Sequence, residues 1–286
     1  GNSGQERRFN PAQKEQDITG EGNMAEERRP VIAIMRPESY REKSEVLAQD
    51  YGFEPLYAPM IRLEGMKDEG FEPFLQRVLA GMSDYVIFTS ANGITFTLDK
   101  LSETEKKNFI TSLKKIRVIA IGPNTEKELI KIGIDNSFLP GDYSSEGIVE
   151  ALCPEVKGKT VELARSAFGA KVLIEGLEKC GAIVNETHVY TLSIPEGTDQ
   201  KELIERTLAG EVDAFAFTSS MMVKGFMKHA KELGSEETIK DSLNMAVVGA
   251  IGTPTGNTLR KYGINANVIP DEFTFEALLK AIKNQL

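Results

Sequence analysis

The feature that most constrains this chain is that it repeats itself. "DYVIFTSANGITF" at 84–96 comes back as "DAFAFTSSMMVKGF" at 213–226, with an apolar run, a Thr-Ser pair and a helix start in the same order. Phe88 corresponds to Phe217, 129 positions on, and Gly122 to Gly252, 130 on. At the second spacing Gly133 falls on Gly263, Pro140 on Pro270 and Glu146 on Glu276. The front of each copy agrees as well: "VIAIMR" at 31–36 resembles "TVELAR" at 160–165, and Gly52 matches Gly181. Solenoid repeats run to roughly 20–50 residues. A repeat of this length is instead the size of a domain.

Within a copy, short apolar runs alternate with segments of helical period. In the first copy the runs are 31–35, 84–88, 116–121 and 136–139. Between them "EKSEVLAQDYG", "NGITFTLDKL", "NTEKELIKIG" and "SSEGIVEALC" place apolar residues at helical spacing,. Gly52, Gly133, Gly181 and Gly263 follow such helices as stop signals,. Continuous apolar strands alternating with helices predict parallel sheets covered on both faces. The expected fold is therefore α/β, with two doubly wound parallel-sheet lobes of flavodoxin-like or Rossmann-like kind.

Composition narrows the partners. A formal net charge of −9 argues against nucleic acid or an anionic membrane surface. No apolar run reaches the roughly 18–20 residues of a membrane span, and no basic start leads into an apolar signal core. Residues 1–23 are polar and aperiodic and precede Met24, so they read as a disordered leader before the native start. Cys153 and Cys180 form no C-x-x-C and read as free thiols of a reducing cytoplasm,. With only two His, neither at ligand spacing, no metal site is expected,. His229 lies among Lys224, Lys228 and Lys231 and reads as solvated, whereas His188 and Tyr190 are expected to share one face of an extended segment,. A cytoplasmic, metal-free monomer is the expectation.

Ligands of parallel sheets bind beyond the carboxyl ends of the strands. The residues at those ends are Arg36-Pro37, Thr89-Ser90-Ala91-Asn92, Gly122-Pro123-Asn124-Thr125 and Gly141-Asp142-Tyr143-Ser144-Ser145 in the first copy. The second copy offers Arg165-Ser166, Thr218-Ser219-Ser220, Gly252-Thr253-Pro254-Thr255 and Phe273-Thr274. Taken singly, a small hydroxyl residue at a helix start is a cap for free N–H groups. Taken together, several helix N-termini with their positive dipole ends form a place for a polyanion that needs few Lys or Arg. No dinucleotide fingerprint, P-loop or nucleophile elbow occurs.

From "FTSANGI", "VIAIGPNTEKEL", "LPGDYSSEGIVEAL", "GAIVNETHVY" and "FTSSMMVKGF", in that order, the whole of 31–286 resembles the uroporphyrinogen-III synthase family. One departure is Pro254 inside "GTPT", after an inserted-looking "GA" at 249–250. The resemblance implies two α/β lobes joined by a two-stranded connector, lobe one being 31–58 plus 193–286 and lobe two 60–190. It implies dehydrating cyclisation of hydroxymethylbilane, a linear tetrapyrrole rich in carboxylates, with inversion of its last ring and no cofactor. It further implies that Tyr190 donates to the departing hydroxyl. Thr89, Ser90, Asn92, Thr125, Ser144, Thr218, Ser219 and Thr255 then hold carboxylates, with Arg36 and Arg165 adding charge. Two other readings stand beside it. One is a non-catalytic two-lobed sensor of an anion or tetrapyrrole, for which no residues remain to form an output domain; the other is a sugar or nucleotide transferase.

Overall fold

β1 (Val31–Ile34), α1 (Arg41–Asp50) and β2 (Glu54–Tyr57) form the first βαβ unit of a computed structural model that describes residues 28–286. The expected leader, 1–23, lies outside the described residues. The chain continues through β3 (Arg62–Gly65), α2 (Phe71–Leu79), β4 (Tyr85–Phe88), α3 (Ala91–Asp99), α4 (Glu103–Leu113), β5 (Arg117–Ala120), α5 (Pro123–Lys131) and α6 (Ser145–Leu152). Then come β6 (Thr160–Ser166), α7 (Val172–Lys179) and β7 (Ile183–Ser193). The last stretch is α8 (Thr198–Leu208), β8 (Ala214–Phe217), α9 (Ser220–Glu232), α10 (Glu236–Met245), β9 (Val247–Ala250), α11 (Thr253–Lys261) and α12 (Phe275–Lys283).

These elements form two compact units, one of Arg62–Ser193 and one of the flanking segments up to Ile61 and from Ile194. The sheet of the flanking unit has the order β2-β1-β8-β9 and is parallel throughout. The sheet of the central unit has the order β3-β7-β6-β4-β5, with only β3 antiparallel. The apolar run at 136–139 forms a single bridge, Phe138 to Ile119, rather than a strand. Where a two-stranded connector is expected, β3 pairs with the last residues of β7, Arg62 opposite Ser193 and Gly65 opposite Tyr190.

Alternation along each strand divides the core. In β4, Val86 and Phe88 pack with Phe74, Phe109 and Leu129 on one face, while Tyr85 and Ile87 pack with Ile148, Leu163 and Leu177 on the other,. Each fully buried side chain of this size contributes about 1.5–3 kcal/mol. Gly133 and Gly263 end α5 and α11 at φ 93° and 78°, the left-handed backbone that glycine adopts at least cost.

Two further expectations fail. Cys153 and Cys180 are joined in a disulfide, Cα atoms 5.2 Å apart. They cap the C-terminal ends of α6 and α7, helices that pack side by side and so bring together residues 27 apart. His229 is buried rather than solvated, and its Nε2 lies 2.9 Å from the Pro195 carbonyl oxygen. Its lysine neighbours occupy the outer face of α9, while the helical period turns His229 inward beside Phe226 and Ala230,.

Candidate functional site

In the central unit the strand order reverses between β6 and β4, because β6 leads through α7 to β7 on one side and β4 leads to β5 on the other. The loops leaving β6 and β4 therefore diverge and leave a crevice at the carboxyl ends. α3 starts there. Gly93 lets it approach, since a Cβ at this position would lie 2.9 Å from the Ala164 carbonyl oxygen. Ser90 caps α3 by accepting from the Gly93 N–H at 3.0 Å, and its Oγ is 3.1 Å from the Tyr190 Oη.

Tyr190 reaches Ser90 through an irregularity in β7. Arg165 of β6 pairs with His188, but the next residue, Ser166, pairs with Tyr190, so the register slips past Val189. One extra residue reverses which face the following side chains occupy. Val189 and Tyr190 consequently belong to the same core cluster. The expectation that His188 and Tyr190 share a face is thereby corrected. Phe96 of α3 stacks on the Tyr190 ring, centroids 5.1 Å apart at 20°. Lys100 lies behind the stack, donating to the Phe96 and Val189 carbonyl oxygens at 2.8 and 2.6 Å, and burial pushes its pKa down.

His188 stays on the other side with Arg165. The Arg165 Nε donates to Glu186 at 2.7 Å, and the His188 Nε2 lies 2.7 Å from the second Glu186 oxygen. Arg165 is buried and its charge is already met. It is therefore not a free cation at the strand end. Ser144 caps α6 through the Gly147 N–H and donates to the Asp142 carboxylate, so its proton is also in use. Thr89 is half-buried, Asn92 is exposed at the start of α3, and Thr125 is buried in the first turn of α5.

The flanking unit has its own reversal, between β1 and β8. Arg36 leaves β1 there. Its guanidinium lies 4.3 Å from the Tyr40 ring centroid and 4.6 Å from that of Phe275, and Nη1 donates to Ser44 Oγ at 3.1 Å. Burial holds its pKa below the usual arginine value. Among the described residues no carboxylate pairs with Arg36. Ser219, after β8, caps α9 through the Met222 N–H at 3.2 Å, and the Thr218 hydroxyl donates to the Met222 sulfur at 3.0 Å. Thr255 is buried in the first turn of α11. Sequence reasoning missed Phe96, Lys100 and Gly93. Of these only Gly93 carried a local signal, as a poor helix former inside a helix.

Two α/β units, each with hydroxyl groups and helix starts at its strand-order reversal, define a protein of the two-unit α/β class. Residues 42–280 match the family described as uroporphyrinogen-III synthase HemD. A Methanothermobacter thermautotrophicus relative is 32% identical over 254 residues, 88% of this chain and 96% of its own. The uroporphyrinogen-III synthase of Chlorobaculum parvum is 30% identical over 202 residues, 70% of this chain and 79% of its own. In fold, the chain is similar to a mutant uroporphyrinogen III synthase from Thermus thermophilus, with TM-score 0.62 and 22% identity over 89% of this chain and 98% of that one. The chain belongs to the uroporphyrinogen-III synthase family, enzymes of the lyase class.

Proposed function

We propose that this chain converts hydroxymethylbilane into uroporphyrinogen III and water, inverting the last pyrrole ring, and that it does so in the cytoplasm. The observation that carries the reading is the Ser90–Tyr190 hydroxyl pair at the crevice of the central unit, in a chain two of whose relatives are named uroporphyrinogen-III synthase. Tyr190 gives its phenolic proton to the departing hydroxyl as the C–O bond breaks, and water leaves. The pyrrole N–H proton released as the azafulvene forms restores the phenol. Closure of the azafulvene is rapid without help but gives the wrong isomer. The remaining task is positioning, for which effective molarity accounts without a strong acid or nucleophile.

Carboxylate arms of the substrate at this crevice are held by the backbone N–H groups that begin α3 and α5. Thr89, Asn92 and Thr125 line these starts, whereas Ser144 and Arg165 act through Asp142 and Glu186 rather than on the substrate directly; Arg36, Thr218, Ser219 and Thr255 stand at the strand ends of the flanking unit. The test is to supply purified protein with fresh hydroxymethylbilane and to separate the oxidised products. The type III isomer is expected in excess over type I, and a product mixture equal to the protein-free control overturns the reading.

A further inference from the structure

We infer that Ser90 acts through Tyr190: its hydroxyl donates to the phenolic oxygen and holds it while the phenol gives up its proton. This rests on the reading of Tyr190 as the proton donor. A serine hydroxyl has one hydrogen and two lone pairs. The Gly93 N–H occupies one lone pair, and Tyr190 Oη lies 3.1 Å from the same oxygen. The bond between the two hydroxyls has two polarities. If the phenol donates to the serine, its proton is used inside the protein and none is left for a leaving group. If the serine donates, the phenolic proton faces outward. Negative charge that grows on Oη then meets a donor, at the positive end of α3.

The surroundings hold the pair in place. Phe96 covers one face of the Tyr190 ring, and Tyr190 is only 7% exposed, so the ring cannot swing away to find another partner. Gly65, opposite Tyr190 on β3, leaves the space that Phe96 fills, since a Cβ there would lie 3.3 Å from the Phe96 ring. Ser90 is thus a positioning residue whose cap fixes the oxygen and whose proton directs the phenol.

Three substitutions separate cap from donor. Ser90→Asp keeps the cap but can only accept, Ser90→Ala removes both, and Ser90→Thr keeps both. Steady-state kinetics should show kcat for the Asp and Ala variants falling to about the level of Tyr190→Phe, on the order of a hundredfold down, with KM changed far less. Ser90→Thr should recover most of the turnover lost in Ser90→Ala. The Ser90→Ala/Tyr190→Phe double variant should be no slower than Tyr190→Phe alone. Thermal unfolding checks that each variant is folded. Wild-type kcat in Ser90→Asp, or a double variant slower by the product of the single losses, overturns the inference. A readout independent of turnover comes from the tyrosine 13Cζ resonance of Tyr190, assigned with Tyr190→Phe. It should move in Ser90→Ala and Ser90→Asp and stay in Ser90→Thr. If it stays put in Ser90→Ala, the contact itself is overturned. An absence of type III product from the wild-type enzyme would sink the functional reading and leave these spectra to judge the bond.

Discussion

Burial sets the chemistry of single side chains in both units. Tyr57 is 5% exposed, and its Oη donates to the Pro37 carbonyl oxygen at 2.8 Å. Burial, its largest cause, pushes the phenol pKa well above the ordinary value, against the nearby Arg36 and Arg41 charges. The unfolded chain therefore loses this proton near the usual phenol pKa of about 10 while the folded chain keeps it. Stability should fall as pH rises through that value. Urea unfolding at pH 8 and pH 11 should show a steeper loss in the wild type than in Tyr57→Phe, and equal slopes would contradict it. Tyr190→Phe keeps the ring stacked on Phe96 and removes only the hydroxyl, so kcat should drop by about 10²-fold, the low end for an acid assisting a step that proceeds unaided. A Tyr190→Phe variant with full kcat would remove Tyr190 from the mechanism. Which face Tyr190 occupies depends on one slipped residue at Val189, and nothing local in "THVYTL" marks that slip.

Elements carry two further devices. Glu162 sits in the middle of β6 with no exposure, yet it accepts from Arg77 Nε at 2.6 Å, Arg77 Nη2 at 3.0 Å, and Ser83 Oγ and Asn185 Nδ2 at 3.1 Å each. This single knot ties α2 to β6 and β7. Arg77→Met leaves the carboxylate buried without its cation, and breaking such a pair costs about 3–5 kcal/mol. Denaturant unfolding should show that loss, and a cost under about 1 kcal/mol would mean water reaches Glu162. The Cys153–Cys180 disulfide ties the ends of α6 and α7. Closing a loop of that length restricts the unfolded chain and stabilises by about 2–4 kcal/mol. Unfolding with and without reductant should differ by this amount while turnover stays the same, because Tyr190 and Ser90 lie on β7 and before α3. Identical unfolding midpoints, with thiol titration showing two free thiols from the outset, would remove the cross-link from the account. Helix caps are readable in the sequence: Ser90, Ser144, Ser219 and Thr274 each accept from the N–H three residues on, which is a local pattern.

At the scale of the whole molecule, the sheets recombine the two sequence copies. The front of the first copy, β1-α1-β2, shares a sheet with β8 and β9 of the second through the β1–β8 pairing, and β6-α7-β7 of the second shares one with β4 and β5 of the first through the β6–β4 pairing. We expect residues 62–193 to fold alone, because their sheet and both of its cores are internal, whereas residues 31–150 should not, because that cut leaves β1 and β2 without β8. Circular dichroism melts of the two fragments test this, and a cooperative transition in 31–150 would overturn it. The sequence by itself determined the α/β class, the strands at 31–35, 84–88 and 116–121 with the helices that follow them, and the capped helix starts. Periodicity, glycine stops and caps act within a few residues and leave their mark there. Only the tertiary structure decided that Ser90 meets Tyr190 across 100 residues, that Arg165 is neutralised by Glu186, and that Cys153 joins Cys180. Those contacts follow from strand order and register. A parallel strand buried on both faces presents nearly the same apolar run to any neighbour, so its partner is chosen by packing of the whole unit rather than by its own residues.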